Sequence, residues 1–254
     1  MCAIIQANAE RSKEGKVNYE SFLELVQMRR SIRRFKPDPI PDEYLDKIIE
    51  AARWAPSGAN SQPWEFITVK KQGLKDSIVE LYEENRALYY RVELTREPDE
   101  RFPTYARPPE GTPGFATAPV FIIMCGDPRT KDAYPFATDP SRRQSHFISG
   151  LASAFLYMNL AATTLGLGSQ WVSGTGGPRE QILIKDMLGI PQKLEIYDML
   201  AVGYPAYEPR PRLLRAREEM VHHDYYDKSK FRTDEEVRDS IITFRGVVPK
   251  QTSP

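Results

Sequence analysis

The feature that most constrains this chain is the stretch 118–125, Ala-Pro-Val-Phe-Ile-Ile-Met-Cys, its longest run without a polar side chain. A run of this length bounded by turn-forming residues reads as a buried strand, and it is far too short to cross a bilayer. A buried strand needs other elements to cover it. The rest of the chain offers mostly helices. Asn18 is placed to cap a helix over about 19–30 with Phe22, Leu25 and Val26 on one face. Pro41, Asp42 and Glu43 open a second, whose apolar face of Leu45, Ile48, Ile49 and Ala52 keeps a 3.6-residue period. Further helices are expected over 74–93, 142–166, 178–188 and near 233–241, and strands over 65–71, 119–125, 169–172 and 194–204. The chain is therefore α+β.

Between the third helix and the long apolar strand lies 95–117, with five Pro and two Gly. A connection that long inside a compact domain is usually a functional lid or disordered. Its aromatics Phe102, Tyr105 and Phe115 favour a lid that lines a substrate site. Residues 1–17 read as a flexible leader, 18–226 as one domain carrying that lid, and 227–254 as a C-terminal extension. The apolar stretch 150–168 is interrupted by Ser153, Asn159, Thr163 and Thr164, and reads as a buried helix rather than a membrane span.

Charge narrows the function. The 254 residues hold 35 Lys or Arg against 35 Asp or Glu, so the net charge is zero. A surface built to track nucleic acid needs a cationic excess, and none is present. With 41% hydrophobic residues the chain is no acidic, disordered solvating segment. Two Cys and three His make neither a zinc cluster nor a disulfide framework. A Cys-poor chain without a signal-like N-terminus is expected in the cytoplasm. The zero total conceals an uneven distribution, however. Five basic side chains and no acid occupy 29–36, and Arg210, Arg212, Arg215 and Arg217 form a second cluster. Arg suits planar, bidentate recognition of phosphate or carboxylate. The two clusters read either as solvated basic faces or as two halves of one small-anion site. No nucleophile elbow, P-loop or dinucleotide fingerprint is present.

Four blocks in order carry a resemblance: Arg29-Arg30-Ser31-Ile32-Arg33; 55–64, Ala-Pro-Ser-Gly-Ala-Asn-Ser-Gln-Pro-Trp; 166–171, Gly-Leu-Gly-Ser-Gln-Trp; and 202–205, Val-Gly-Tyr-Pro. Together they resemble the nitroreductase-like family of FMN-dependent NAD(P)H oxidoreductases. The resemblance implies a mixed, mostly antiparallel central sheet flanked by helices, and an interlocked homodimer with FMN at the interface. By that pattern Arg29, Arg30 and Ser31 would contact the FMN phosphate and ribityl chain, and Arg33 the pyrimidine end of the flavin. Arg215, with Arg217 as fallback, would supply a second phosphate contact. Pro56, Ser57, Gly58 and Asn60 would approach the flavin of the partner subunit. Val172, Ser173 and Gly174 would line it beside N5, with Ser173 and Gly174 forming the catalytic environment.

The activity so implied is ping-pong: hydride passes from NAD(P)H to flavin N5, and a small planar acceptor such as a nitroaromatic, quinone or activated alkene is then reduced. Two alternatives stand beside it: reductive dehalogenation of a halophenol, as in the deiodinase branch, and a non-catalytic flavin-binding protein. The dehalogenase grip implied by that branch, a Glu with a Tyr four residues later and a lid Lys, has no counterpart in 74–93, and 76–130 holds no Lys. No metal, nucleic acid or membrane partner is expected.

Overall fold

The computed structural model describes residues 18–98, 100–101, 108–135, 137–209 and 211–244. The leader 1–17, the lid aromatics Phe102 and Tyr105, and the end of the extension lie outside the described residues. Asn18 caps α1 (Tyr19–Met28) as expected, its Oδ1 accepting from the Ser21 amide at 2.7 Å. Then follow α2 (Asp42–Arg53), β1 (Trp64–Val69), α3 (Gln72–Glu93), β2 (Val120–Gly126), α4 (Pro140–Thr164), β3 (Gly168–Val172), α5 (Pro178–Leu188) and β4 (Glu195–Gly203). A short helix α6 (Arg217–Met220) and α7 (Asp234–Phe244) close the series. The expected elements are all present, with ends shifted by a few residues, as is usual where helix and strand termini fray. Among the helices and strands so numbered, only α6 has no counterpart in the sequence reading.

The strands form one sheet in the order β1-β2-β4-β3, and every pair among them is antiparallel. This sheet explains the run 118–125. Successive side chains on a strand point to opposite faces. On β2, Val120, Ile122 and Met124 face a core that includes Leu45, Ile48 and Ala52 of α2 and Leu151, Phe155 and Met158 of α4. Phe121, Ile123 and Cys125 face a second core with Ile78 and Val79 of α3 and Ile184 of α5. Both faces are covered, so no position on β2 is left for a polar residue. The central neighbour β4 is sandwiched likewise, with Leu200 and Val202 on one side and Met199 and Ala201 on the other.

Helix α4 is long and apolar enough to cross a membrane by length and composition alone. Its buried side chains Phe147, Leu151, Phe155 and Met158 pack in the first core, so it serves as a core helix. Helix α1 differs: none of its residues is buried, and Tyr19, Phe22, Val26 and Met28 are exposed.

Two compact units result. One holds the described residues up to Tyr82 with Thr112–Pro209, and includes the sheet. The other holds Glu83–Gly111 with the described residues from 211 onward. Phe115 belongs to the first and corrects the lid expectation: it is 1% exposed, edge-on to Tyr82 at 4.9 Å and to Phe121 at 5.8 Å. Its aromaticity serves the core beneath β2, because the chain at 114–117 has already turned inward to enter that strand.

Candidate functional site

The segment after α1 is tied to the sheet by backbone. Ser31 forms an isolated parallel bridge with Ser169 at the start of β3, and the Ile32 amide donates to the Ser169 carbonyl at 2.9 Å. Gly168 makes the approach possible: a Cβ there would lie 2.6 Å from Ile32 Cγ1. Further along, Phe35 bridges Pro205, and its amide donates to Thr117 Oγ1 at 2.9 Å. Buried Ile32 and Phe35 thus anchor the strip, leaving Arg29, Arg30 and Ser31 half-buried and Arg33 exposed between the anchors. The Arg33 amide donates to the Tyr207 hydroxyl at 3.1 Å, and the Arg34 guanidinium lies over the Tyr207 ring. Ser169 itself is buried, its hydroxyl donating to Asn159 Oδ1 of α4 at 2.9 Å.

The same strand carries the second group of candidates. Val172 is buried at the end of β3, and the tight turn Ser173–Gly176 follows directly. Ser173 is exposed and Gly174 half-buried. A Cβ on Gly174 would lie 2.6 Å from Tyr82 Cε2, so α3 backs this turn from the second core. Arg29–Ser31 and Ser173–Gly174 therefore flank the two ends of one edge strand, about 13 Å apart at 3.3 Å per residue.

The loop that follows α2 stands on the other core. Ser57 packs on Gly150 of α4, where a Cβ would approach Ser57 Cβ at 3.2 Å, and Ser57 Oγ accepts from the Gln62 amide at 3.0 Å. Ala59, Asn60 and Gln62 all take left-handed backbone, with φ of 53°, 50° and 44°. Non-glycine residues rarely do so, and such strain persists only where the surroundings over-determine it. Pro56 and Asn60 are exposed, Ser57 and Gly58 half-buried. Gly58 is not left-handed, so its lack of a side chain answers a demand for space.

Arg215 and Arg217 lie in the second unit. The Arg215 guanidinium pairs with Glu219 at 3.4 Å, and Arg217 is exposed at the start of α6.

Sequence reasoning passed over Asp198. It is an acid on central strand β4, 8% exposed, and burial pushes its carboxyl up to about 6 from 3.8. The Trp171 indole N–H donates to it and opposes the rise. Its signal was an acid in the middle of the stretch 196–204, which is otherwise without charge. Cys125 behaves as the composition suggests: burial pushes its thiol up to about 12, which leaves it an unreactive core residue.

The Nitroreductase family matches residues 26–204 of this sequence, taking in the basic strip, the strained loop and the β3 turn. The chain belongs to the nitroreductase family. It is 30% identical over 200 residues to iodotyrosine deiodinase 1 of Rattus norvegicus, a match over 76% of this chain and 65% of that protein's length. The chain thus spans less than two thirds of this relative. Among solved structures, an oxidized iodotyrosine deiodinase bound to FMN and 3-iodo-L-tyrosine superposes with a TM-score of 0.61 at 26% identity, covering 80% of this chain and 99% of that one. A nitroreductase with bound FMN from Bacteroides fragilis has the same fold, with a TM-score of 0.59 at 24% identity over 79% of this chain and 98% of the other. As a member of this family the chain has the nitroreductase fold, α+β with an antiparallel sheet.

Proposed function

We propose that this nitroreductase-family chain is an FMN-dependent oxidoreductase that accepts hydride from NAD(P)H and reduces a small planar acceptor, a nitroaromatic, quinone or activated alkene. The observation that carries the reading is the strip Arg29–Ser31, held by backbone to the same edge strand that ends in the Ser173–Gly176 turn. Half-buried guanidinium groups beside a hydroxyl suit a phosphate, and the turn offers close backbone some 13 Å away, a span suited to a ribityl phosphate tail. The donor set fits FMN on these grounds. When bound, FMN supplies hydride and electron transfer, which the side chains by themselves do not.

The protein's own part is binding and orientation. Arg29, Arg30 and Ser31 would hold the phosphate end, and exposed Arg33 would set a positive charge near the pyrimidine edge. Val172, Ser173 and Gly174 would face N5, the Ser173 hydroxyl adding a donor there. By the family resemblance Arg215, or Arg217, would supply a second phosphate contact.

A homodimer belongs to this reading. The loop 56–60 packs against α4 in the first core, while Gly174 backs onto Tyr82 in the second. One chain keeps these two groups on different sides of its sheet, which supports a site shared between two copies. The apolar face of α1, with Ile148, Leu156 and Tyr157 exposed on α4, suits such an interface. A cytoplasmic location accords with a composition holding two Cys in all.

The likeness to iodotyrosine deiodinase favours a second reading, reductive dehalogenation of a halophenol. Against it, α3 has no Glu followed four residues later by Tyr. A non-catalytic flavin carrier is the third. Stopped-flow mixing of the purified yellow protein with NADH or NADPH, then with a nitroaromatic, a quinone or a halotyrosine, separates the three. Rapid bleaching and reoxidation by nitroaromatic or quinone supports the reductase. Reoxidation by halotyrosine with halide release supports the second reading, and a flavin that neither nicotinamide bleaches supports the carrier.

A further inference from the structure

A residue that the family resemblance did not single out stands behind the strained loop. Tyr134 follows the turn Pro128–Ala133, and its ring stacks on His146 of α4 with centroids 4.9 Å apart and planes 15° from parallel. The hydroxyl end reaches Gly58. A Cβ on Gly58 would overlap the Tyr134 oxygen and lie 2.7 Å from its Cζ. The oxygen is buried and has no hydrogen-bond partner among the described residues. A buried hydroxyl without a partner is unfavourable, so hydrogen bonding does not account for its position.

The three left-handed residues of the loop are Ala59, Asn60 and Gln62, none of them glycine, whereas Gly58 keeps an ordinary φ. The backbone therefore does not require glycine at 58. What requires it is the tyrosine tip, which fills the space a side chain would take. With Ser57 against Gly150 and its Oγ on the Gln62 amide, the tyrosine forms one of the contacts that hold the left-handed turn in place.

We propose that Tyr134, stacked on His146, is a positioning residue that sets the loop 57–62 by steric contact with Gly58, and through that loop the geometry of the bound flavin. This inference rests on the flavin reading above only in its last clause. Five proteins test it: wild type, Gly58→Ala, Tyr134→Ala, the double variant and the conservative Tyr134→Phe. FMN affinity is read by fluorescence quenching, flavin geometry by visible circular dichroism, and stability by the thermal midpoint.

Gly58→Ala in the wild-type background is expected to weaken FMN binding tenfold or more. With Tyr134→Ala already present, the same change should cost less than threefold, because the obstructing ring is gone. Tyr134→Ala should alter the visible dichroism of bound FMN, a signature that loss of packing elsewhere would not move. Tyr134→Phe should hold FMN affinity within threefold of wild type, with an equal or higher thermal midpoint. Equal cost of Gly58→Ala in both backgrounds overturns the proposal, as does a tenfold loss from Tyr134→Phe. A wild-type protein that binds no FMN refutes the flavin reading instead. The positioning contact is then decided by thermal midpoints, where additive shifts from Gly58→Ala and Tyr134→Ala overturn it and non-additive shifts support it.

Discussion

Asp198 is the acid on which the fold makes its sharpest quantitative demand. It sits on β4, accepting a hydrogen bond from the Trp171 indole N–H, and burial raises its carboxyl from 3.8 to about 6. A carboxyl whose folded value lies above its unfolded value favours folding while protonated. Its contribution is fully present below about pH 4 and is lost as pH rises through about 6. At about 1.4 kcal/mol per pH unit, the interval corresponds to about 3 kcal/mol of stability absent at pH 8. Asp198→Asn removes the charge and keeps an oxygen for the Trp171 N–H. The variant should match wild type near pH 4 and exceed it by up to about 3 kcal/mol at pH 8.

Urea unfolding of both proteins at pH 4.5, 6, 7 and 8 measures the gap. Other acids with perturbed values, such as Asp127 and Asp139, titrate in both proteins and cancel in the difference. Intrinsic fluorescence gives an independent reading: the component lost in Trp171→Phe should titrate with a midpoint near 6. A gap that does not change with pH, or a variant less stable than wild type at pH 8, would show that the carboxylate is not isolated in the way its surroundings imply.

Arg30→Ala should raise the FMN dissociation constant by about tenfold or more, the loss of a charge-assisted contact to phosphate, measured by flavin fluorescence; unchanged retention would return the basic strip to a solvated face. Phe115→Ala should cost about 3–5 kcal/mol in urea unfolding and leave the order of preferred acceptors unchanged, since the ring is core; a small cost with a changed acceptor profile would restore it to the lid. Gly174→Ala pushes a methyl group into the Tyr82 ring. It should therefore slow reduction by NAD(P)H in stopped flow, and Gly174→Ala made with Tyr82→Ala should recover part of the rate.

Much of the fold was legible because it is written in near neighbours. Asn18 caps α1 through an amide three residues away, and Leu45, Ile48 and Ala52 fall on one side of α2 because the helix repeats every 3.6 residues. The candidate strip at 29–33 and the turn at 173–174 were legible as residue types in a familiar order. Their attachment to opposite ends of β3 was not, because the Ser31–Ser169 bridge joins positions far apart in sequence. Phe115 was misplaced for a related reason. A Pro-rich segment announces irregular backbone, but only packing reveals whether an aromatic within it points outward or into a core.

The sequence by itself determined the α+β class, the order and rough bounds of the elements, and the membership blocks of the family, since each depends on periodicity or on contiguous residues. Tertiary structure alone decided why those residues are needed. The apolar run 118–125 is polar-free because helices cover both faces of β2. Gly58 is small because Tyr134, which shares no local pattern with it, fills its side-chain space. Asp198 holds its proton to about pH 6 because the sheet buries it. Close approach and burial are properties of packed volumes, and a one-dimensional pattern carries them only where the residues in contact are neighbours along the chain.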